Sequence, residues 1–342
     1  MTNPMNLMIA IPRFAKNAAR IALLPPLADL SVGSPRDDGA TSLGGRADPT
    51  AAVRHTRDVP ELPEVETIRR QLDPVLRGQE ILGAWAFGSS KFTDAEFAVG
   101  ARLGGVRRRG KYLLIDLSAP AGSGSTRTGD GAAGEVPMEL VVHLGMTGRL
   151  EVADRDATPS THLRARWDLD DGRSLVFDDV RRFGRIAVVD RGVHQTLPTL
   201  AALGPEPFDE EFTPELLRTR IHASSRAVKT QLLSQRVVAG VGNIYADEAL
   251  WRAGVHPVAR RLTRRQAQDL RDAIRDVLAA GIENGGTTLR NYRDAEGGSG
   301  RNQRYLDCYG RSGEPCIRCG DTLRRIVLDA RSTSFCPTCQ RR

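Results

Sequence analysis

Pro60 and Glu61 have the types and spacing that could do chemistry, at the start of the run PELPEVE over residues 60–66. An amine can attack an electron-poor sugar carbon and form an iminium, or Schiff base. An α-amino group has a pKa of about 8, so far more of it is neutral at pH 7 than of a lysine amine. A neighbouring carboxyl group can carry protons to and from the sugar ring oxygen. The pair suits cleavage of a glycosidic bond, although the same run also suits a plain helix entry.

Residues 1–59 prevent this chemistry as long as they are attached, because they acylate the nitrogen of Pro60. An acylated proline nitrogen has no hydrogen and is not basic. Their apolar stretch, residues 21–30, is broken by two prolines, and no sustained period follows it. This composition predicts a disordered extension. Valine is encoded by GUN codons, and GUG is a common alternative bacterial start. We therefore expect a mis-assigned start at Val59, with Pro60 freed when the initiator methionine is removed. A genuine extension and an organelle transit peptide are the alternatives.

Four of the five cysteines form a CxxC–x16–CxxC pattern. Two thiolate pairs at this spacing predict one structural Zn²⁺ in a ribbon, held by Cys316, Cys319, Cys336 and Cys339. Two disulfides in a secreted module are the alternative, but no convincing export signal is present. Cys308 is expected to be a buried or half-buried thiol. Reduced cysteines favour the cytoplasm.

Bulk properties exclude some classes of protein. The net charge of +7 is a mild basic excess, compatible with a phosphate-binding face without proving one. The sequence has no uninterrupted apolar run of about 18 residues, so we expect no membrane span and no membrane partner. No repeat of 20–50 residues is visible.

Hydrophobic periodicity predicts the helices and strands on which these residues lie. Apolar positions from Leu62 to Leu76 share one helical face, Pro63 suits the first turn, and Gly78 follows the end. Strands are predicted over 81–87, 111–117, 138–144, 165–169, 174–177 and 185–189, with a hairpin turn at 170–172 and a flexible insertion at 118–135. Helices are predicted over 214–221, 227–235, 245–253 and 263–284, the last with a capping box from Thr263 to Gln266.

Several blocks, taken in order, resemble the formamidopyrimidine-DNA glycosylases, which are bacterial base-excision repair enzymes. The blocks are PELPEVE at 60–66, RRGKYLL at 108–114, HLGMTG at 143–148, DVRRFG at 179–184, QRVVAGVGNIYADE at 235–248 and the cysteine pairs. In that family the first proline is the amino terminus and its secondary amine is the nucleophile. The resemblance therefore implies that Pro60 and Glu61 are catalytic. It covers residues 60–342 nearly end to end.

The resemblance also implies functional roles for residues that, considered alone, would have ordinary structural explanations. Lys111, otherwise a solvated lysine at a strand start, matches the catalytic lysine that contacts the DNA backbone beside the lesion. Met146, which alone would be explained as a residue that packs in the core, matches the methionine that fills the gap left by the flipped base. Arg181 matches the arginine that pairs with the orphaned base, and Phe183 the wedge in the base stack. The family usually has proline at the position of Val180.

Two further residues are implied to bind phosphate. Asn243 follows a Gly-Val-Gly turn at a helix start, which alone would be weak evidence. Arg331 lies five residues before Cys336, near the expected hairpin tip, and matches the finger arginine that grips the phosphates flanking the lesion. The loop that closes over the base departs from the family, because Asn302 stands where relatives have an aromatic. We therefore expect lower selectivity for 8-oxoguanine, with cleavage at abasic sites retained.

The expected architecture is α+β, with an N-terminal antiparallel β-sandwich and N-terminal helix, a helix–two-turn–helix domain and a four-cysteine zinc ribbon. The expected divisions are 1–59 (extension), 60–195 (catalytic sandwich), 196–210 (linker), 211–292 (helix–two-turn–helix domain), 293–304 (lesion-closing loop) and 305–342 (ribbon).

The resemblance implies a bifunctional glycosylase and AP lyase that removes oxidised purines, such as 8-oxoguanine and formamidopyrimidines, and nicks the strand by β,δ-elimination. The expected partner is damaged double-stranded DNA, and the expected form is a monomer in the bacterial cytoplasm. Leu62 favours this branch over endonuclease VIII-like enzymes for oxidised pyrimidines, which commonly have Gly there. If residues 1–59 stay attached, the alternative is a non-catalytic binder of damaged DNA.

Overall fold

The computed structural model describes residues 59–118 and 137–341. The expectations for residues 1–58 and for nearly all of the insertion at 118–135 lie outside these ranges.

The helices and strands follow one another in an order that separates a sheet-rich part from a helical part. They are α1 (Leu62–Leu76), β1 (Ile81–Ala86), β2 (Arg102–Arg109), β3 (Tyr112–Ser118), β4 (Met138–His143), β5 (Gly148–Asp154), β6 (Leu163–Leu169), β7 (Arg173–Asp179), β8 (Arg185–Asp190), α2 (Pro198–Ala201), α3 (Pro214–His222), α4 (Val228–Leu233), α5 (Asn243–Arg252), α6 (Arg264–Glu283), β9 (Arg324–Leu328) and β10 (Arg331–Phe335). Short 3₁₀ helices occur at Ala95–Ala98 and Asn302–Tyr305.

Two antiparallel four-stranded sheets form the predicted sandwich. Their strand orders are β2-β3-β4-β8 and β1-β6-β7-β5. The core between them is built around Trp167 and Phe177, and α1 contributes Val65, Ile68 and Leu72 to it. The α+β architecture predicted from the sequence is therefore confirmed.

Strands β2 and β5 were not predicted from the sequence. The sequence of β2, RLGGVRRR, has no clean alternation of apolar and polar residues, so propensity does not mark it. The three consecutive arginines at its end look like a nucleic-acid patch but are paired instead. Arg107 contacts Asp116 at 2.6 Å, while Arg108 and Arg109 contact Glu206 at 2.6 and 2.8 Å. Tertiary ion pairs and the ladder with β3 stabilise this strand.

Helices α3 to α6 surround a second core, and α1 reaches it through Leu62. The capping box of Thr263 and Gln266 at the start of α6 is confirmed. Helix α4 ends two residues before the predicted limit, because Gln235 adopts a φ of +63° that no α-helix contains. Since α1 packs into both cores, its first turn is held where the sandwich and the helical part meet.

Strands β9 and β10 form the hairpin of the ribbon. Its turn consists of Asp329 and Ala330, whose φ angles of +47° and +58° fit the tight turns that match strand twist. Arg331 follows directly, so its predicted place near the tip is confirmed. Among the described helices, none is long and apolar enough to cross a membrane.

Candidate active site

A small cleft lies where the starts of α1 and α5 meet the β9–β10 hairpin. It brings together four residues that the sequence singled out, Glu61, Lys111, Asn243 and Arg331. The other lining residues are Val59, Leu233, Gly242, Ile244 and Tyr309. Pro60 is buried and lies in the chain between Val59 and Glu61, both of which line this cleft. Groups from four distant parts of the chain thus converge on one point.

Glu61 is seated on the N-terminus of α5. Its carboxylate accepts hydrogen bonds from the backbone N–H groups of Gly242 at 2.6 Å and Ile244 at 2.9 Å. The free N–H groups and the positive end of a helix dipole favour a carboxylate at this place. The side chain is 2% exposed. Its position is therefore fixed before any substrate arrives.

Lys111 faces the same carboxylate. Burial lowers the pKa of Lys111, the charge of Glu61 opposes that shift, and the charge of Arg331 adds to it. A Cβ at Gly242 would collide with the Glu61 carboxyl group and lie 2.5 Å from Lys111 Nζ. Only glycine therefore allows the α5 turn to approach both side chains.

Glu64 is a buried acidic residue beside this cleft that the sequence analysis did not single out. It is 2% exposed, and its carboxylate accepts from the Glu61 N–H at 2.9 Å, the Thr287 N–H at 2.6 Å and the Tyr245 hydroxyl at 3.0 Å. Burial and the nearby charge of Glu61 raise the pKa of Glu64 to about 7. An acidic residue at the third position of a helix is the capping signal that could have revealed it.

Met146, Arg181 and Phe183 form a separate cluster on the sandwich. Arg181 Nη1 lies 3.3 Å from Met146 Sδ, and its guanidinium stacks over the Phe183 ring at 4.4 Å. The buried carboxylate of Asp179 organises the loop by accepting from Gly184 N–H at 2.7 Å. Phe183 is 45% exposed, so its ring is accessible at the surface of this loop. Valine at position 180 is compatible with this arrangement.

The β9–β10 hairpin is docked on the helical part by polar groups, and of these the sequence singled out only Asn243. Lys229 and Asp247 form a fully buried ion pair at 2.5 Å. Lys229 also donates to Ser332 O at 3.0 Å, and Asp247 accepts from Ser334 N–H at 2.8 Å. Asn243 Nδ2 donates to the same Ser332 oxygen at 3.1 Å. These bonds aim Arg331 at the cleft.

The four predicted zinc ligands are adjacent, with all four sulfur atoms within 4.8 Å of one another. The Cys316–Cys339 and Cys319–Cys336 sulfur distances are 4.0 and 3.5 Å. Tetrahedral zinc with bonds of about 2.3 Å needs sulfurs roughly 3.8 Å apart, so the site fits this metal. Trp251 Nε1 lies 3.4 Å from Cys316 Sγ, where it can orient that ligand. Cys308 is buried as expected.

Asn302 is the loop residue that the sequence singled out because an aromatic is missing there. Its side chain points inward, and the residue is 4% exposed. Its Nδ2 donates to Thr287 Oγ1 at 3.0 Å, and its N–H donates to Gly286 O at 3.1 Å. A side chain held in this way is an internal tie of the loop and does not offer a stacking surface.

Comparisons with known proteins agree with this geometry. Residues 59–186 match the formamidopyrimidine-DNA glycosylase N-terminal domain, residues 203–293 the H2TH domain of the same enzymes, and residues 313–342 the zinc finger found in FPG and IleRS. The chain belongs to the formamidopyrimidine-DNA glycosylase family. A curated formamidopyrimidine-DNA glycosylase of Deinococcus radiodurans is 44% identical over 288 residues, which are 82% of this chain and 97% of the relative.

Solved structures of this family show the same architecture. The crystal structure of MutM (FPG) from Thermus thermophilus is 43% identical, covers 82% of this chain and 98% of its own, and has a TM-score of 0.72. A Lactococcus lactis FPG mutant in complex with a Fapy-dG containing DNA is 33% identical, covers 83% and 100%, and has a TM-score of 0.70.

The zinc ribbon of this glycosylase gives a direct prediction. Cys336→Ser should release the metal and loosen the hairpin that carries Arg331, because a four-sulfur zinc site supplies the folding free energy of so small a module. A hydrogen bond to a charged group contributes about 1.5–3 kcal/mol, so DNA affinity should fall by roughly 10- to 100-fold. Metal analysis and fluorescence anisotropy with duplex DNA measure both effects. Cys308→Ser, outside the ligand set, is the control. Full DNA affinity in a metal-free protein would contradict this prediction.

Proposed function

We propose that residues 60–342 work as a DNA glycosylase and AP lyase that removes oxidised purines and then cuts the strand at the resulting site. The observation that carries this proposal is the Pro60–Glu61 pair, with the Glu61 carboxylate fixed on the α5 N-terminus between Lys111 and the hairpin of Arg331. A nucleophile, a proton carrier and two cations face one small cleft, as cleavage of a glycosidic bond beside phosphates requires.

In this proposal the Pro60 amine attacks C1′ of the damaged nucleotide. The bond between C1′ and the base breaks, and the base leaves with the electron pair. Glu61 delivers a proton to the sugar ring oxygen, so that the ring opens to the iminium of Pro60. The iminium acidifies the C2′ proton, and its removal expels the 3′ phosphate. Lys111 contacts the phosphate beside the lesion and assists this step.

The proposal requires a free Pro60 amine. Val59 lines the same cleft as Glu61 and Lys111, so a residue attached there occupies space that the substrate sugar needs. Relatives matched over 97% or more of their own length cover only 82% of this chain. A chain starting at Pro60 therefore retains the fold that those relatives share. We propose that the working protein starts at Pro60 and acts as a monomer in the bacterial cytoplasm.

The cluster of the half-buried Met146 and Arg181 with the exposed Phe183 suits the opened duplex. A base that leaves the stack leaves a gap to fill, an orphaned partner and a step to wedge apart. We assign these tasks to Met146, Arg181 and Phe183, respectively. Their mutual contacts at 3.3 and 4.4 Å let them enter the duplex as one unit.

Phosphate contacts should affect damaged and undamaged duplex alike, and the salt dependence should distinguish the charged contact from the neutral one. Arg331→Ala should weaken binding to damaged and undamaged duplex alike by roughly 10- to 100-fold and reduce the salt slope by about 1. Asn243→Ala removes a neutral amide, so it should weaken both complexes with an unchanged slope. Binding isotherms at several salt concentrations measure this. Arg265→Ala, which removes an exposed arginine on α6, is the control. A loss confined to damaged duplex would contradict these assignments.

A nicking assay tests the proposed substrate class. Duplexes with 8-oxoguanine, a formamidopyrimidine or an oxidised pyrimidine are compared under single-turnover conditions. We expect the two purine lesions to be cut faster, in agreement with a solved MutM complex that contains a carbocyclic 8-oxo-G. Faster cutting of the oxidised pyrimidine would favour the endonuclease VIII-like alternative. Binding without any cutting would favour the non-catalytic binder.

A further inference from the structure

Glu64 connects the proposed nucleophile to a distant part of the chain. One of its carboxylate oxygens accepts from the Glu61 N–H, which belongs to the peptide that joins Glu61 to Pro60. The other oxygen accepts from the Thr287 N–H and from the Tyr245 hydroxyl. A buried carboxylate is costly unless donors satisfy it, so these bonds fix Glu64 in place.

Thr287 continues this connection towards the loop of residues 293–304. Its hydroxyl oxygen accepts from Asn302 Nδ2 at 3.0 Å and lies 3.1 Å from the Tyr245 hydroxyl. Thr287 and Asn302 are 2% and 4% exposed. Asn302 is tied further to Asn284 and Gly286 at the end of α6. An unbroken buried chain of hydrogen bonds thus runs from the Pro60–Glu61 peptide to the 3₁₀ helix in this loop.

We propose that Glu64, Thr287 and Asn302 form a positioning link that aligns the Pro60–Glu61 peptide only when the loop of residues 293–304 is seated. The inference rests on the proposed function. None of the three residues lines the cleft, so each acts through Glu61 and does not touch the substrate. Since the Asn302 side chain points inward, this link acts on the Pro60–Glu61 peptide from the side away from the cleft.

Loss of the link should affect the two steps of the reaction, base release and strand cleavage, differently. Base release needs the loop seated over a damaged base, and therefore needs both halves of the link. Strand cleavage at a preformed abasic site involves no base, and needs only the half between Glu64 and Glu61. A residue with a merely structural role would slow both steps together.

The chain offers a matched test in the form starting at Pro60. Thr287→Val removes the hydroxyl at constant shape, Thr287→Ser keeps it, and Asn302→Ala removes its donor. Thr263→Val is the control, because it deletes a helix cap at the other end of α6 and destabilises that helix start without reaching Glu64. Single-turnover rates are measured for base release from 8-oxoguanine duplex and for cleavage of an abasic duplex.

We expect Thr287→Val and Asn302→Ala to slow base release by about tenfold, the loss of one buried hydrogen bond, while abasic cleavage changes by less than about twofold. The double variant should be no slower than either single one, because both break the same link. Thr287→Ser should restore the rate. Independent effects that multiply, or equal slowing of both substrates, would overturn the proposal.

Hydrogen exchange tests the link without relying on activity. The Thr287 hydroxyl reaches Glu64 through the Tyr245 hydroxyl, which donates to that carboxylate. The Glu61 amide should therefore exchange faster in Thr287→Val, because Thr287 loses its tie to Asn302 and the Tyr245 donor of Glu64 loses a partner, and it should be unchanged in Thr263→Val. Unchanged exchange in Thr287→Val would also overturn the link. A wild-type protein that shows the expected exchange but cleaves neither duplex would instead refute the proposed function.

Discussion

A chain that starts at Pro60 should cut damaged DNA, whereas the 342-residue chain should have no detectable activity. The reason is that an acylated proline nitrogen has no lone pair available for attack, while the free secondary amine has one. The measurement is the single-turnover nicking rate on 8-oxoguanine duplex for both proteins at equal concentration. Mass spectrometry before and after the assay establishes that residues 1–59 are still attached to the longer chain.

Pro60→Gly in the shorter chain is the matched control. A primary amine also forms an imine, so this variant should retain part of the activity, because the requirement is a free amine beside Glu61 and not proline itself. Acetylation of the amine should abolish activity in both. An intact longer chain as active as the shorter one would show that Pro60 is not the nucleophile, and Lys111 would then be the candidate.

Glu61→Gln should abolish base release and leave DNA binding nearly intact. The amide cannot deliver a proton to the sugar ring oxygen, and a positioned acid contributes roughly 10²- to 10⁴-fold to the rate. The Gly242 and Ile244 N–H groups bond different oxygens of Glu61, so the single amide oxygen keeps one of these bonds, and the fold should survive the loss of the other. Rates of base release are compared with the dissociation constant for the same duplex.

Glu66→Gln is the control for the loss of a carboxylate in α1. Glu66 pairs with Arg70 and Arg108 away from the cleft, so its replacement should leave base release within about twofold, as for most changes outside a site. Equal loss of binding in Glu61→Gln, Arg331→Ala and Asn243→Ala would contradict the separation of chemistry from DNA binding.

Local sequence signals predicted the elements that carry the site. Helix α1 has the predicted bounds. Its apolar period, the proline in its first turn and the following Gly78 are all local signals, so they can be recognised in the sequence without knowledge of the tertiary structure. The cysteine spacing predicted the four-sulfur cluster for the same reason, since a metal site of this type is built from two short turns.

The contacts that complete the site were not predictable from local patterns. Glu64 meets Thr287 across a long stretch of intervening chain, and the pair of Lys229 and Asp247 has no period or motif that marks it. Burial of a charge depends on what tertiary packing brings near it, which propensity does not describe. The inward orientation of the Asn302 side chain was not predictable for the same reason, because it depends on a hydrogen bond to Thr287, which lies outside the loop.

Borohydride trapping followed by peptide mapping tests the role of Pro60 most directly. A Schiff base between the enzyme and the sugar is reduced to a stable amine, so the covalent DNA adduct marks the nucleophile. With a chain starting at Pro60 and an 8-oxoguanine duplex, we predict one adduct, on the peptide whose first residue is Pro60. An adduct on Lys111 or another lysine, with the Pro60 amine unmodified, would contradict this mechanism.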